Sequence, residues 1–131
     1  MSVRILLVDT HDDARISLAR RLRRDPSLEL LATASCVDEA AGILLHNQPD
    51  IVLLDVHQGD RSGVDACRAI RALTAAPIVA FSSFLTPELW SAVKEAGAAD
   101  SLLKNIDIDR LGREIRRLAK MHAPAAGRNT H

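Results

Sequence analysis

Two apolar runs in this chain stop abruptly at a carboxylate. Ile51-Val52-Leu53-Leu54 runs into Asp55, and the run from Val3 to Val8 ends at Asp9. Four apolar residues with no polar alternation fit a strand covered on both faces, the pattern of a parallel sheet sandwiched between helices. Between these strands the period changes. Ala14, Leu18 and Leu22 predict a helix over residues 12–24, with Asp12 or Asp13 as N-cap and Asp25-Pro26 as its stop. A weaker strand over 28–33 follows. Ser35-x-x-Asp38 resembles a capping box that opens a helix over 37–46, and Pro49-Asp50 leads into the central strand.

Beyond Asp55 a polar loop carries Gly59 and Gly63, and Val64, Cys67, Ile70 and Leu73 predict a helix over 64–73. Pro77 to Phe81 reads as a strand closed by Ser82-Ser83. Thr86-Pro87-Glu88 reads as a capped helix start that Ala96-Gly97 ends. Ser101-Leu102-Leu103 is a short last strand delivering Lys104, and Leu111, Ile115 and Leu118 stripe a final helix capped by Asp107 or Asp109. Five strands alternating with five helices predict an α/β fold, a parallel sheet with helices on both faces. In such open sheets the chemistry sits at the carboxyl ends of the strands, which gathers Asp9, Asp55, Ser82 and Lys104 on one edge.

Composition then narrows the classes. A chain of 131 residues is one domain's worth, read as a folded unit over 1–121 and a flexible tail over 122–131. Lys plus Arg and Asp plus Glu both number 17, so nothing steers the chain onto nucleic acid or an anionic membrane, and no direct nucleic acid binding is expected. No apolar stretch approaches the roughly 20 residues of a membrane span, and the first residues run straight into a strand, so the expected location is cytoplasmic. Cys36 and Cys67 read as small buried hydrophobes. His11 and His57 read as ordinary surface histidines rather than transition-metal ligands, and Trp90 as a packing or partner-facing residue. The basic runs Arg20 to Arg24 and Arg113 to Lys120 read as solvated faces.

In order and at their spacing, Ile-Leu-Leu-Val-Asp9, Ile-Val-Leu-Leu-Asp55 with Gly63 eight residues on, Pro77 to Ser82, and Ala96-Gly97 to Lys104 resemble the receiver domain of two-component response regulators. The resemblance covers about residues 4–120 and is closest to the subfamily that usually carries a helix-turn-helix output. It implies a flavodoxin-like, doubly wound five-stranded sheet of order 2-1-3-4-5. It also implies a phosphorelay in which a histidine kinase or phosphotransfer protein phosphorylates Asp55. By position, Asp9, Asp55 and the backbone carbonyl of His57 would hold Mg²⁺, Ser82 would be the switch hydroxyl, and Lys104 would hold the phosphoryl oxygens. The resemblance implies a signalling domain rather than an enzyme, limited to its own phosphorylation and dephosphorylation. It suggests a homodimer through helix four, strand five and helix five.

Three positions depart from that pattern. Thr10 stands where the family has a second acid, its direct metal ligand, which predicts weakened Mg²⁺ binding. It also makes a pseudo-receiver, binding partners without phosphate, the alternative function. Gly59 replaces a loop proline and Ser101 an aromatic side chain. An aspartyl-phosphate phosphohydrolase would place Asp-x-Asp where this chain has Asp55-Val56-His57. An FMN site would need a hydroxyl-rich loop where it has Asp9-Thr10-His11-Asp12-Asp13.

Overall fold

Residues 2–57 and 59–124 are described by the structure, a computed structural model. Among them lie strands β1 (Val3–Val8), β2 (Leu28–Ala34), β3 (Ile51–Asp55), β4 (Ile78–Ser82) and β5 (Asp100–Leu103). They alternate with helices α1 (Asp12–Arg23), α2 (Val37–Leu44), α3 (Ser62–Arg71), α4 (Pro87–Glu95) and α5 (Ile108–Met121). The strands pair in parallel in the order β2-β1-β3-β4-β5, the expected doubly wound topology.

The pleat divides the core in two. Leu6, Val8, Val52, Leu54, Ile78 and Ala80 face α2, α3 and α4, where Ala40, Cys67, Ile70 and Val93 are buried against them. Ile5, Leu7, Ile51, Leu53, Val79 and Phe81 face α1 and α5, meeting Leu18, Leu22, Leu111, Ile115 and Leu118. Alternate residues of an extended strand point to opposite faces, so an unbroken apolar run is what two covered faces require. Burying one such leucine or isoleucine contributes about 1.5–3 kcal/mol. That fixes β1 and β3 firmly, and with them the position of whatever follows each strand.

Several local expectations are corrected. The N-cap of α1 is His11, not Asp12 or Asp13, which lie inside the first turn where their charges favour the helix dipole. The cap of α2 is Cys36. Ser35 does not pair with Asp38; its N–H and hydroxyl both donate to the Glu39 carboxylate, at 2.6 Å each. The α3 helix is displaced toward the N-terminus, and Leu73 lies beyond it, exposed. Cys36 is exposed, whereas Cys67 is buried as expected. Thr86 caps α4, accepting from the Leu89 N–H at 3.1 Å, and Asp107 rather than Asp109 caps α5. The basic runs are not uniformly solvated: Arg21 donates to the Ile106 carbonyl at 3.0 Å, and Arg116 reaches Asp25 and Ser27. Trp90 packs, partly buried, on the α3 and α4 side of the core. Of the expected tail, residues 125–131 lie outside the described residues, while His122 Nε2 lies 3.2 Å from the Asp100 carboxylate. No described helix is long and apolar enough to cross a membrane.

Candidate functional site

Val8 pairs with Leu54 across the β1–β3 ladder, so Asp9 and Asp55 emerge side by side from strands about 4.8 Å apart. This is the crevice where the chain order reverses, β1 leading to β2 on one side while β3 flanks it on the other. Asp9 is 2% exposed and Asp55 7%. Two carboxylates buried together repel and lose hydration, so they require a nearby cation.

Lys104 is that cation. Its backbone N–H donates to the Ser82 carbonyl at 2.8 Å, extending the β4–β5 ladder and aiming the side chain across the sheet edge. Its Nζ lies 3.6 Å from Asp9 Oδ2 and in ion-pair contact with Asp55 Oδ1. The second oxygen of each carboxylate faces the opposite way. Asp9 Oδ1 accepts the His11 backbone N–H at 2.9 Å and lies 3.5 Å from His11 Nδ1. Asp55 Oδ2 contacts His57 Nε2 and lies 3.6 Å from His11 Nδ1. The two imidazoles pack edge to face, centroids 4.7 Å apart. Asp55 Oδ1 and His57 Nε2 are nonetheless buried without a directed hydrogen bond among the described residues.

The loop after β3 is shaped by two glycines. Gly59 adopts a φ of +78°, a left-handed conformation costly for other residues. A Cβ on Gly63 would lie 2.8 Å from Val56 Cγ1, so the start of α3 packs on the residue that follows Asp55 because position 63 is bare. Within this loop the His57 carbonyl accepts the Asp60 N–H at 3.3 Å, and Asp60 Oδ1 accepts the Ser62 N–H at 2.8 Å. That hydrogen bonding to Ser62 is the main cause holding the Asp60 carboxyl below the usual aspartate range, with His57 and His11 adding to it. Asp9, Thr10, Asp55, His57 and Gly63 line a cleft of about 190 Å³.

The arrangement brings Asp9, Asp55 and Lys104 together, and His57, expected to contribute its backbone carbonyl, meets Asp55 through its imidazole. Ser82 is buried at the same edge, but its hydroxyl is engaged locally, donating to the Phe84 carbonyl at 2.7 Å and accepting the Phe84 N–H at 3.3 Å. Thr10 is exposed, its hydroxyl 3.4 Å from His11 Nδ1. Of the two histidines expected at the surface, His11 is exposed and His57 partly buried, and both rings stand against Asp55. The signal was present in a repeat: Asp9-Thr10-His11 and Asp55-Val56-His57 each place a histidine two residues beyond the acid, at the ends of neighbouring strands.

Residues 5–116 match the family described as the response regulator receiver domain. The transcriptional regulatory protein LiaR of Bacillus subtilis is 31% identical over 119 residues, covering 90% of this chain and 56% of LiaR. A protein-glutamate methylesterase/protein-glutamine glutaminase of Rhodopseudomonas palustris is 38% identical over 105 residues, which span 78% of this chain but 29% of that protein. The crystal structure of a LuxR-family two-component response regulator from an Aurantimonas species superposes with a TM-score of 0.80 at 29% identity, covering 94% of this chain and 89% of that one. The chain spans about half the length of the curated relatives it matches, LiaR among them. The family match and the likeness to a two-component response regulator do not favour the pseudo-receiver alternative.

Proposed function

The chain belongs to the response regulator receiver family and is a receiver domain of two-component signalling, and from that premise we propose that Asp55 is its phosphoacceptor. The observation that supports this most is the Lys104 ammonium held between the buried carboxylates of Asp9 and Asp55. A carboxylate oxygen of Asp55 attacks the phosphorus of a phosphohistidine on a kinase or phosphotransfer protein. The P–O bond forms as the P–N bond breaks, and the partner's imidazole, already protonated on its other ring nitrogen, takes the electron pair and leaves as a neutral base. Lys104 then balances charge on the phosphoryl oxygens. Ser82 exchanges the Phe84 carbonyl for one of those oxygens, which frees the loop before α4 and is a local change able to bias a two-state arrangement.

Receiver domains generally hold Mg²⁺ at acidic residues, and the donors here fit. Asp9, Asp55 and the His57 carbonyl supply hard oxygens, two of them from buried carboxylates. A carbonyl has two lone pairs, so the Asp60 N–H leaves one free on His57. When bound, Mg²⁺ neutralises the carboxylates and the incoming phosphoryl oxygens. Thr10 offers a neutral hydroxyl in place of an acid, so its affinity for Mg²⁺ is set below that of a paired-acid site, and Thr10→Asp tightens it.

The test is intact mass after incubation with a small-molecule phosphodonor and Mg²⁺. Wild type gains one phosphoryl group and Asp55→Asn gains none; a wild-type mass that never changes would sink the proposal. We place the receiver unit at residues 1–121. A homodimer through α4, β5 and α5 is in keeping with the exposed Leu103 and Met121 on those elements. The transcriptional role named for LiaR is proposed for a longer protein carrying such a domain, through an output region, and not for this domain's own surface.

A further inference from the structure

One face of the Asp9–Asp55 pair is occupied by Lys104, but the opposite face is built of imidazoles. His11 Nδ1, Asp55 Oδ2 and His57 Nε2 are drawn from two loops anchored by the core strands β1 and β3. A ligand atom from each residue lies within 4.8 Å of the others. A buried carboxylate and a half-buried imidazole crowd together there, and His57 Nε2 has no directed hydrogen bond among the described residues. Two nitrogens and a carboxylate oxygen are a borderline donor set. Imidazole is a poor ligand for Mg²⁺ and a good one for Zn²⁺, Co²⁺, Ni²⁺ and Cu²⁺.

We propose that His11, Asp55 and His57 form a binding site for a late first-row divalent cation of the Zn²⁺ class, distinct from the Mg²⁺ site in its two imidazole nitrogens and overlapping it at the Asp55 carboxylate. The dimensions suit such an ion. Tetrahedral zinc with bonds of about 2.0–2.2 Å holds its ligand atoms about 3.3–3.6 Å apart. His11 Nδ1 lies 3.6 Å from Asp55 Oδ2 and 3.5 Å from Asp9 Oδ1. A cation inserted beside His57 Nε2 replaces its close contact with Asp55 Oδ2 by two metal bonds. The backbone at both ligands is held, the His11 N–H by Asp9 and the His57 carbonyl by the Asp60 N–H, and the two rings rest edge to face on one another. Three protein ligands leave a fourth position, for Asp9 Oδ1 or water. Lys104 does not compete, because it holds the other oxygen of each carboxylate. The exposed Thr10 hydroxyl, 3.4 Å from His11 Nδ1, is the contact His11 gives up on binding. Occupancy would take the Asp55 oxygen away from phosphoryl transfer, so the ion would act as a brake on the receiver.

The experiment uses Co²⁺ as a spectroscopic probe and Zn²⁺ as competitor on the unphosphorylated protein, so its outcome is independent of whether Asp55 accepts phosphate. Wild type takes up one Co²⁺ with an intense visible ligand-field spectrum of low coordination number, and one equivalent of Zn²⁺ bleaches it. His11→Gln and His57→Gln each weaken binding by at least about tenfold, and the double variant loses the spectrum. The double variant retains His46, His122 and His131, so an unchanged spectrum in it would place the ion elsewhere and overturn the proposal. Absence of one-to-one binding in wild type would overturn it equally. Melting temperature gives a second reading: Zn²⁺ raises it in wild type and leaves it unmoved in the double variant.

Discussion

Replacing Lys104 by methionine removes the ammonium shared by two buried carboxylates while keeping the apolar stem. At an effective dielectric constant of 20, the 3.6 Å pair with Asp9 alone represents about 5 kcal/mol of attraction, and the closer contact with Asp55 is no weaker. Desolvation of the ammonium, whose side chain is 19% exposed, cancels part of this. The uncompensated term is the mutual repulsion of Asp9 and Asp55, which cannot escape into water from positions 2% and 7% exposed. Removing one partner from a buried pair costs about 3–5 kcal/mol, and partial exposure of Lys104 puts the expected loss near the lower end, about 3 kcal/mol. For a domain of this size that is a fall in Tm of about 10 °C. Denaturant unfolding at neutral pH measures it. The double variant Lys104→Met with Asp55→Asn recovers about half of the loss, because one of the two repelling charges has gone. A Lys104→Met variant within about 0.5 kcal/mol of wild type, or one that Asp55→Asn does not rescue, would refute the electrostatic reading of the site.

Gly63→Ala forces a Cβ to within 2.8 Å of Val56 Cγ1 and is expected to cost about 1–3 kcal/mol and to displace the Asp55 loop, read by unfolding and by amide shifts of residues 55–60. Asp25 is held below the usual aspartate range chiefly by the Ser27 hydroxyl and N–H, with Arg116 contributing. A carboxyl depressed by folding stabilises at pH values above its ordinary value and loses that contribution as pH falls through its folded one. Asp25→Asn is therefore expected to lower stability by about 1 kcal/mol at neutral pH, with the difference from wild type vanishing on acidification below about pH 4; a difference constant with pH would contradict this. A thiol reagent at neutral pH modifies Cys36 and spares Cys67, whose burial pushes its thiol up to about 11, until denaturant is added. Fast modification of both in the native protein would show that the α3–α4 side of the core opens.

The fold was legible because its signal is redundant. Val3 to Val8 and Ile51 to Leu54 leave a buried parallel strand as the natural reading, which puts Asp9 and Asp55 on one sheet edge, and the strand order implied by the family resemblance makes them neighbours, as the β1–β3 pairing has them. Lys104 was legible for the same reason, following a strand whose register places it beside Ser82. What eluded the sequence depends on side-chain direction. Asp12 and Asp13 are good N-caps by type, yet the turn after Asp9 gives the cap to His11, because the Asp9 carboxylate takes the His11 N–H. Ser35 finds Glu39 rather than Asp38, a choice of one residue that no spacing rule decides. Cys36 is exposed because it caps α2 at the sheet edge instead of packing under it. A lone histidine in a polar loop is usually a surface residue, so neither the local sequence of His11 nor that of His57, taken alone, points to the other. Only the pairing of β1 with β3 makes the two neighbours.

Phosphoryl transfer to Asp55 leaves a chemical mark at one position. After treatment with a phosphodonor and Mg²⁺, borohydride reduces an aspartyl phosphate to homoserine, and peptide mass spectrometry locates the altered residue. Homoserine is expected at position 55, dependent on both donor and Mg²⁺. An unmodified Asp55, with the phosphoryl group on another residue or on none, would contradict it.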